Sequence, residues 1–521
     1  MFAVCGAESD RNGIFSFQSV YEAYALCRRR KRNTINALKF EIDLLEAITD
    51  LSESLADGSY RPSPSVRFVV KDPKYREVFA ADFRDRVVHH LLVPRLERVF
   101  EPKCIFDSYA CRKGKGTHAA VKRLKRFMRQ ITGAGKGQGY YLQLDIKSFF
   151  INIDRSVLFE LIRKKVENGI LIALTQTILF QDCRKDYVYR GDPGLMRRVP
   201  AHKSLLHAEG NKGIPIGNLT SQFFANLYLN ELDQFVKHRL RCRHYIRYMD
   251  DCILLERSPS QLGVWQQRIE QFLKNRLELE LKPGWRIASV YRGIDFLGYV
   301  TRPDYTLIRN RVIGNLKSRL CQFRREIVSE RANGGRSILR LNLQAEIVGR
   351  LRQVLMSYLG HFRHASHYRA MRRIWERFGY LDDIFWSNAM PAGKLESKLE
   401  PPYEPLNLRS QYLWFTDRYR GACIFFQIGK YCEFHFEEAV RYGGLFRLTI
   451  REGKRFPGKQ CGFPKGYLEH YRRLAMGMGM DTVVVQQAGR YANGLQRRAV
   501  VSISRVRKTG TAGLAPIVAP Q

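Results

Sequence analysis

The chain has 521 residues and carries 88 Lys and Arg against 50 Asp and Glu, a formal net charge of +38, with 45% hydrophobic residues. That apolar content supports packed cores and excludes a disordered chain, and the length allows several domains. Charge of one sign repels itself, so the excess calls for a polyanionic partner, nucleic acid first and an anionic membrane second.

No apolar run reaches transmembrane length, and Met1-Phe2-Ala3-Val4-Cys5 runs straight into Gly6 with no signal-peptide pattern. No membrane partner and a cytoplasmic location are therefore expected. The 11 cysteines are scattered without a Cys-x-x-Cys, which suits reduced thiols and argues against structural zinc.

In chain order, Tyr21, Tyr24, Ala25, Leu38, Phe40, Ile42, Leu45 and Ile48 recur at helical spacing and predict helix over 15–55. The run Arg28 to Arg32 is a solvated face or a phosphate contact. Ser65 to Val70 and Tyr75 to Ala81 read as strands joined at Lys71-Asp72-Pro73-Lys74, a basic-tipped hairpin. Lys71, Lys74 and Arg76 could grip a triphosphate, Arg best because its planar fork binds phosphate oxygens in pairs. A helix with charges on one face follows from Asp82; pairing of Arg84 and Arg86 with Asp82 and Asp85 is the plain reading there.

Arg112 to Thr117 alternates cations with glycine without the Walker spacing. Tyr140 to Leu144 is an apolar strand closed by Asp145, and an unpaired buried carboxylate is costly unless something neutralises it. Residues 183–212 read as basic loop. Gly217, Asn218, Thr220 and Ser221 are small and polar at the entry to a helix predicted over 223–240, where a template base and incoming nucleotide could pack closely, the plain reading being an ordinary cap by Asn218 or Thr220. Tyr245 to Leu255 reads as a hairpin with Asp250-Asp251 at its turn, and paired carboxylates suit Mg²⁺. Phe296 to Val300 reads as one strand, and 309–378 as almost wholly helical.

In this order the motifs resemble those of reverse transcriptases over about residues 15–380: the hairpin with Arg76, the Asp145 strand, Ile216-Gly217-x-x-x-Ser221-Gln222, Tyr248-Met249-Asp250-Asp251, Lys282, and Phe296-Leu297-Gly298-Tyr299. The resemblance implies an α+β right-hand polymerase of fingers, palm and helical thumb. It implies that Asp145, Asp250 and Asp251, with Ile146 beside them, hold two Mg²⁺ (Mn²⁺ as a substitute) for nucleotidyl transfer. Arg76 with Lys71 and Lys74 would hold the dNTP. Phe150 would screen the sugar 2′-position, its plain reading being a core Phe. Lys282 would serve as general acid, while Tyr248 and Phe296-Leu297-Gly298 would contact nucleic acid.

Ile216 stands where most of that family carries Gln. This variant, with Phe83 to His90 and Ser357 to Ala365, resembles the polymerases of diversity-generating retroelements, and related bacterial defence enzymes. Loss of a polar group beside the nascent pair implies relaxed discrimination. The implied partners are a template or non-coding RNA, a primer or cDNA, dNTPs, and an accessory protein or second reverse transcriptase. A maturase-like helper fits the Ile216 loop poorly. A catalytically dead nucleic-acid-binding scaffold is the other class of reading.

Pro391, Pro401, Pro402 and Pro405 mark 387–411 as linker. Cys423 to Ala439 then reads as a strand, a glycine and a helix. Phe446 to Ile450 reads as a strand, Cys461 to Pro464 as a turn, Gly466 to Met478 as a helix and Thr482 to Gln487 as a closing strand. This resembles the mismatch-recognition domain of MutS proteins, whose Gly-x-Phe-x-Glu corresponds here to Gly429, Tyr431 and Glu433. That family's aromatic stacks on a base, and Tyr keeps the stacking face; the plain reading buries Tyr431 in a packing domain. The expected divisions are 1–55, 56–305, 306–386, 387–411, 412–505 and a loose tail, 506–521.

Overall fold

A computed structural model describes residues 13–29, 34–71, 74–333, 336–386, 395–453 and 456–508. They are a mixture of helix and strand in two compact units, 1–297 with 301–304, and 298–300 with 305–521. Among the described residues no helix is long and apolar enough to cross a membrane.

The first unit opens with helices α1 (Phe17–Arg28), α2 (Ile35–Ile42) and α3 (Leu44–Ala56). Val20, Ala23, Tyr24 and Cys27 form the buried stripe of α1. The stripe expected from periodicity is only partly the one buried. Tyr24 and Ile48 are inside, whereas Tyr21, Ala25, Leu38, Ile42 and Leu45 are exposed. α1 ends at Arg28, and Asp43 separates α2 from α3, so the phase of one stripe does not carry into the next. Arg28 pairs with Glu41; Arg30 to Arg32 lie outside the described residues.

Strands β1 (Ser65–Val70) and β2 (Arg76–Ala80) form the expected antiparallel hairpin, with Val70 opposite Arg76; Asp72 and Pro73 of its turn lie outside the described residues. The 183–212 stretch is not plain loop. Its β4 (Tyr187–Tyr189) runs parallel to β1, and a buried Arg67–Glu77 pair fastens it. Glu77 also accepts hydrogen bonds from the Ser204 hydroxyl and the Leu205 amide.

Helix α4 (Phe83–Phe100) is capped by Asp82. Asp85 lies 3.8 Å from the Arg84 guanidinium, as the plain reading has it, but it is 1% exposed and its hydrogen bonds come from the Tyr60 hydroxyl and the Ser63 amide. Arg86 donates to the Ala81 carbonyl instead.

The centre of this unit is an antiparallel sheet in the order β5 (His244–Tyr248), β6 (Asp251–Glu256), β3 (Tyr140–Leu144), β7 (Arg286–Ser289). Helices α6 (Leu219–Gln234) and α7 (Pro259–Leu277) share one apolar core with it, and α5 (Thr117–Ile131) packs against β5 and β6. Helix α6 starts four residues before the predicted start and ends in a π-turn over Phe235–Arg239. The expected Phe296–Val300 strand is broken at Leu297 and Gly298, both with positive φ, between β8 (Ile294–Phe296) and β9 (Tyr299–Thr301).

In the second unit, β10 (Thr306–Ile308), α8 (Asn310–Ile327), α9 (Ala345–Phe362) and α10 (Tyr368–Arg377) share a core with the C-terminal strands. The stretch 309–378, expected to be almost wholly helical, also holds the hairpin β11 (Val328–Asn333) and β12 (Arg336–Asn342). Strand β12 pairs with β18 (Gln496–Lys508), so eight strands form one sheet, β11-β12-β18-β17-β13-β14-β16-β15. The partner strand is far away in sequence, and strand formation depends on such partners more than on local propensity.

The remaining strands are β13 (Cys423–Ile428), β14 (Tyr431–His435), β15 (Arg451–Glu452), β16 (Lys459–Pro464) and β17 (Thr482–Arg490). Five local expectations change here. Residues after Gly429 form β14 before helix α11 (Glu437–Phe446) begins, and Leu448–Ile450 are not a strand. Cys461–Pro464 is strand, not turn. The expected linker contributes buried Leu395 and Leu399 and the start of the helix Leu408–Arg418. The expected tail is strand through Lys508; residues 509–521 lie outside the described ones.

Candidate active site

Register brings the acids together. Leu144 at the end of β3 lies opposite Cys252 on β6, so Asp145 and Asp251 are the next residues outward on neighbouring strands. Ile146 bridges to Leu281, and the Lys282 amide donates to the Asp145 carbonyl at 2.8 Å. The Lys282 ammonium then reaches the Asp145 carboxylate at 3.0 Å. Asp250 sits in the β5–β6 turn after Met249, whose φ of 54° tightens it.

The electrostatics follow from that crowding. Burial first, then Asp250 and Asp145, push the Asp251 carboxyl up to about 7, against the opposing pull of Lys282. Burial and Asp145 raise Asp250, opposed by Arg76 and Arg247. Lys282 is raised by its hydrogen bond to Asp145. Mutually repelling oxygen donors are the set a hard divalent cation would neutralise. The expected three-acid cluster is nevertheless not closed: among the described residues no three or more His, Cys, Asp or Glu side chains converge to hold a metal. The Asp145 carboxylate is turned onto Lys282 instead.

The nucleotide-side residues are tied together through the backbone. Ile214 N–H donates to the Phe150 carbonyl, and Phe79 N–H to the Ile216 carbonyl. Phe150 is half-buried, edge-on to Phe149 at 5.5 Å. Gly217 has φ +123°, and a Cβ there would meet Val78 Cγ1 at 2.6 Å. Asn218 does not cap α6; its side-chain oxygen accepts from Ala81 N–H at 2.9 Å, holding the loop to the end of β2. Arg76 is exposed and its charge is felt at Asp250. Lys71 and Lys74 are exposed at the hairpin end, and no contact among the described residues links them to the acids.

Tyr248 is half-buried, its hydroxyl 3.3 Å from that of Thr117. Phe296 is 1% exposed, so its ring offers no surface, unlike half-buried Leu297 and Gly298. In the second unit Tyr431 is 51% exposed, which rules out the buried reading. Glu433 lies 3.3 Å from His435 Nε2 and faces Gly462 across the β14–β16 pair.

One element of the site escaped the sequence reading. Arg247, 1% exposed, lies against Asp233, 0% exposed, at 2.8 and 2.6 Å. It also donates to the Met249 carbonyl at 3.0 Å and the Ser108 hydroxyl at 3.1 Å. The signal was a cation inside an apolar strand, which requires a buried partner.

Comparison with known proteins agrees with both halves of this picture. Residues 69–301 match the family described as reverse transcriptase (RNA-dependent DNA polymerase), and 407–511 match MutS domain I. Protein YkfC of Escherichia coli K12 is 24% identical over 301 residues, 51% of this chain and 74% of that protein. The group II intron-encoded protein LtrA of Lactococcus lactis is 29% identical over 194 residues, 37% of this chain and 28% of that protein. The DNA mismatch repair protein MutS of Borreliella burgdorferi is 28% identical over 96 residues, 18% of this chain and 11% of that protein.

Proposed function

We propose that this chain, a reverse transcriptase joined to a MutS domain I, copies a dedicated RNA template into DNA from dNTPs with low fidelity, as in a diversity-generating retroelement. The observation that carries the polymerase reading is the strand register setting Asp145 beside Asp251 and Asp250, with Lys282 on Asp145. The right-hand arrangement of fingers, palm and thumb belongs to this proposal.

Asp145, Asp250 and Asp251, with Ile146 beside them, would hold two Mg²⁺, or Mn²⁺. When bound, these ions activate the primer 3′-hydroxyl and neutralise the triphosphate and its pyrophosphate leaving group. Asp145 must then leave Lys282, which frees that ammonium to donate a proton to the departing pyrophosphate. Arg76, with Lys71 and Lys74, holds the triphosphate. Phe150 excludes a ribose 2′-hydroxyl by bulk. Ile216 and Gly217 flank the nascent pair, Ile216 without a hydrogen-bonding group. Tyr248, Leu297 and Gly298 contact the nucleic acid, and Tyr431 and Glu433 read a base in duplex or hybrid. The partners are template RNA, primer or cDNA, dNTPs and an accessory protein or second reverse transcriptase.

Defence against phage uses the same chemistry and is the second reading; the nucleic acid that copurifies with the protein separates the two. All three acids are present, which disfavours a dead scaffold. Primed RNA with dNTPs and Mg²⁺ should be extended by the wild type, while Asp250→Asn should lose about 10²- to 10³-fold or more of the rate. Equal extension by the two proteins would refute the assignment.

A further inference from the structure

The second unit contains a hollow of about 1000 Å³ that holds none of the residues assigned so far. Its walls are the end of α8, the hairpin β11–β12, and helix α12 (Leu468–Gly477) of the C-terminal domain. The hollow is built rather than incidental. Arg336 on β12 donates to the Gly477 carbonyl at 2.7 Å, and Arg340 reaches Glu469 on α12 at 3.1 Å. Those contacts hold the hairpin to the helix.

Every cation lining it is arginine: Arg325, Arg331, Arg340 and Arg473. Its acids are already matched. Glu326 pairs with Arg350 at 2.6 Å, and Glu469 is shared by Arg340 and by Arg472 at 3.4 Å. Arg325, Arg331 and Arg473 are exposed and have no acidic partner among the described residues. Three unmatched guanidiniums around a concavity focus positive potential into it. Their planar forks fit paired phosphate oxygens.

We propose that this hollow binds the sugar–phosphate backbone of a nucleic-acid strand, with Arg325, Arg331 and Arg473 as its phosphate contacts. One wall of the site is the hairpin β11–β12 and the other is helix α12. The inference rests on the nucleic-acid reading above only for the class of ligand; it needs no polymerase step.

The test uses the full chain with Arg325, Arg331 and Arg473 all changed to Gln. Fluorescent single-stranded RNA, single-stranded DNA and an RNA–DNA hybrid of equal length are titrated without dNTPs across a KCl series. Three lost contacts should lower the slope of log K against log salt by about 2 to 3, from roughly 0.7 to 0.9 per phosphate. Loss for all three probes marks a general backbone site; loss for one identifies the strand it holds. The Arg→Lys triple variant should recover most of the slope, and a palm-side control, Arg163→Gln with Arg268→Gln and Lys274→Gln, should leave it unchanged. An unchanged slope in the first variant, or an equal loss in the control, overturns the proposal. Single-nucleotide incorporation is measured in parallel, so failure of the polymerase reading shows there and not in the binding slopes.

Discussion

Two hairpins carry the residues of interest, and they are supported in opposite ways. β5–β6 presents Asp250 and Asp251 over a buried ion pair, Arg247–Asp233, that reaches up to the carbonyl of the turn residue Met249. β13–β14 presents Tyr431 beyond Gly429, and its close support is a glycine, Gly462, whose Cβ would come within 2.6 Å of the Cys432 carbonyl. The first arrangement fixes charge in low dielectric, where small displacements of the acids change their energies strongly. The second leaves an aromatic face in solvent, ready to stack. Chemistry is thus served by the hairpin with a polar foundation, and contact by the one packed on backbone.

The sharpest way to break that contrast is Arg247→Ala. Leaving Asp233 buried and unpaired should cost about 3–5 kcal/mol of stability, read as a drop in the denaturation midpoint of the full chain. A loss under about 1 kcal/mol would mean that the pair is no foundation. Next is Gly462→Ala, where overpacking against backbone should cost about 1–3 kcal/mol; a neutral result by the same measurement would show that β14 and β16 can separate freely. Tyr431→Ala should weaken hybrid or duplex binding by about 1–3 kcal/mol while Tyr431→Phe keeps it. Equal affinity of the Ala variant in anisotropy titrations would return the ring to an idle surface role. The smallest effect is at Ile216→Gln, expected to lower misincorporation by up to about tenfold, near 1.4 kcal/mol of discrimination; identical error rates in single-nucleotide assays would sink the fidelity argument.

Legibility followed the range of the interactions. The acids at 250 and 251, the strand into Asp145 and the β1–β2 hairpin are legible because each is a short β-prone run bounded by a turn or a charge, whereas Gly429, Tyr431 and Glu433 stand out only through the resemblance, and their strand β14 does not. Asn218 stands at the N-cap position of α6, the local use of Asn, yet its side chain bonds Ala81 N–H, 137 positions earlier. Cys461–Pro464 was misread because Gly and Pro signal turns locally; here Gly462 permits close approach of a neighbouring strand and Pro464 ends one. The exposed Ile42 and Leu45 show the converse, apolar periodicity that the packing does not use.

By itself, then, the sequence determined which residue types stand where chemistry is possible: the charge of the whole chain, the three acids, the lone arginine in an apolar strand, the aromatic after Gly429. Only the tertiary structure decided that Arg247 finds Asp233, that Lys282 rests on Asp145, and that β12 joins β18 to close one wall of the arginine-lined hollow. The physical reason is the same in each case. Local pattern sets backbone preference, but a buried charge or an unpaired strand edge is satisfied by whatever the fold brings to it, and that partner lies outside any local window.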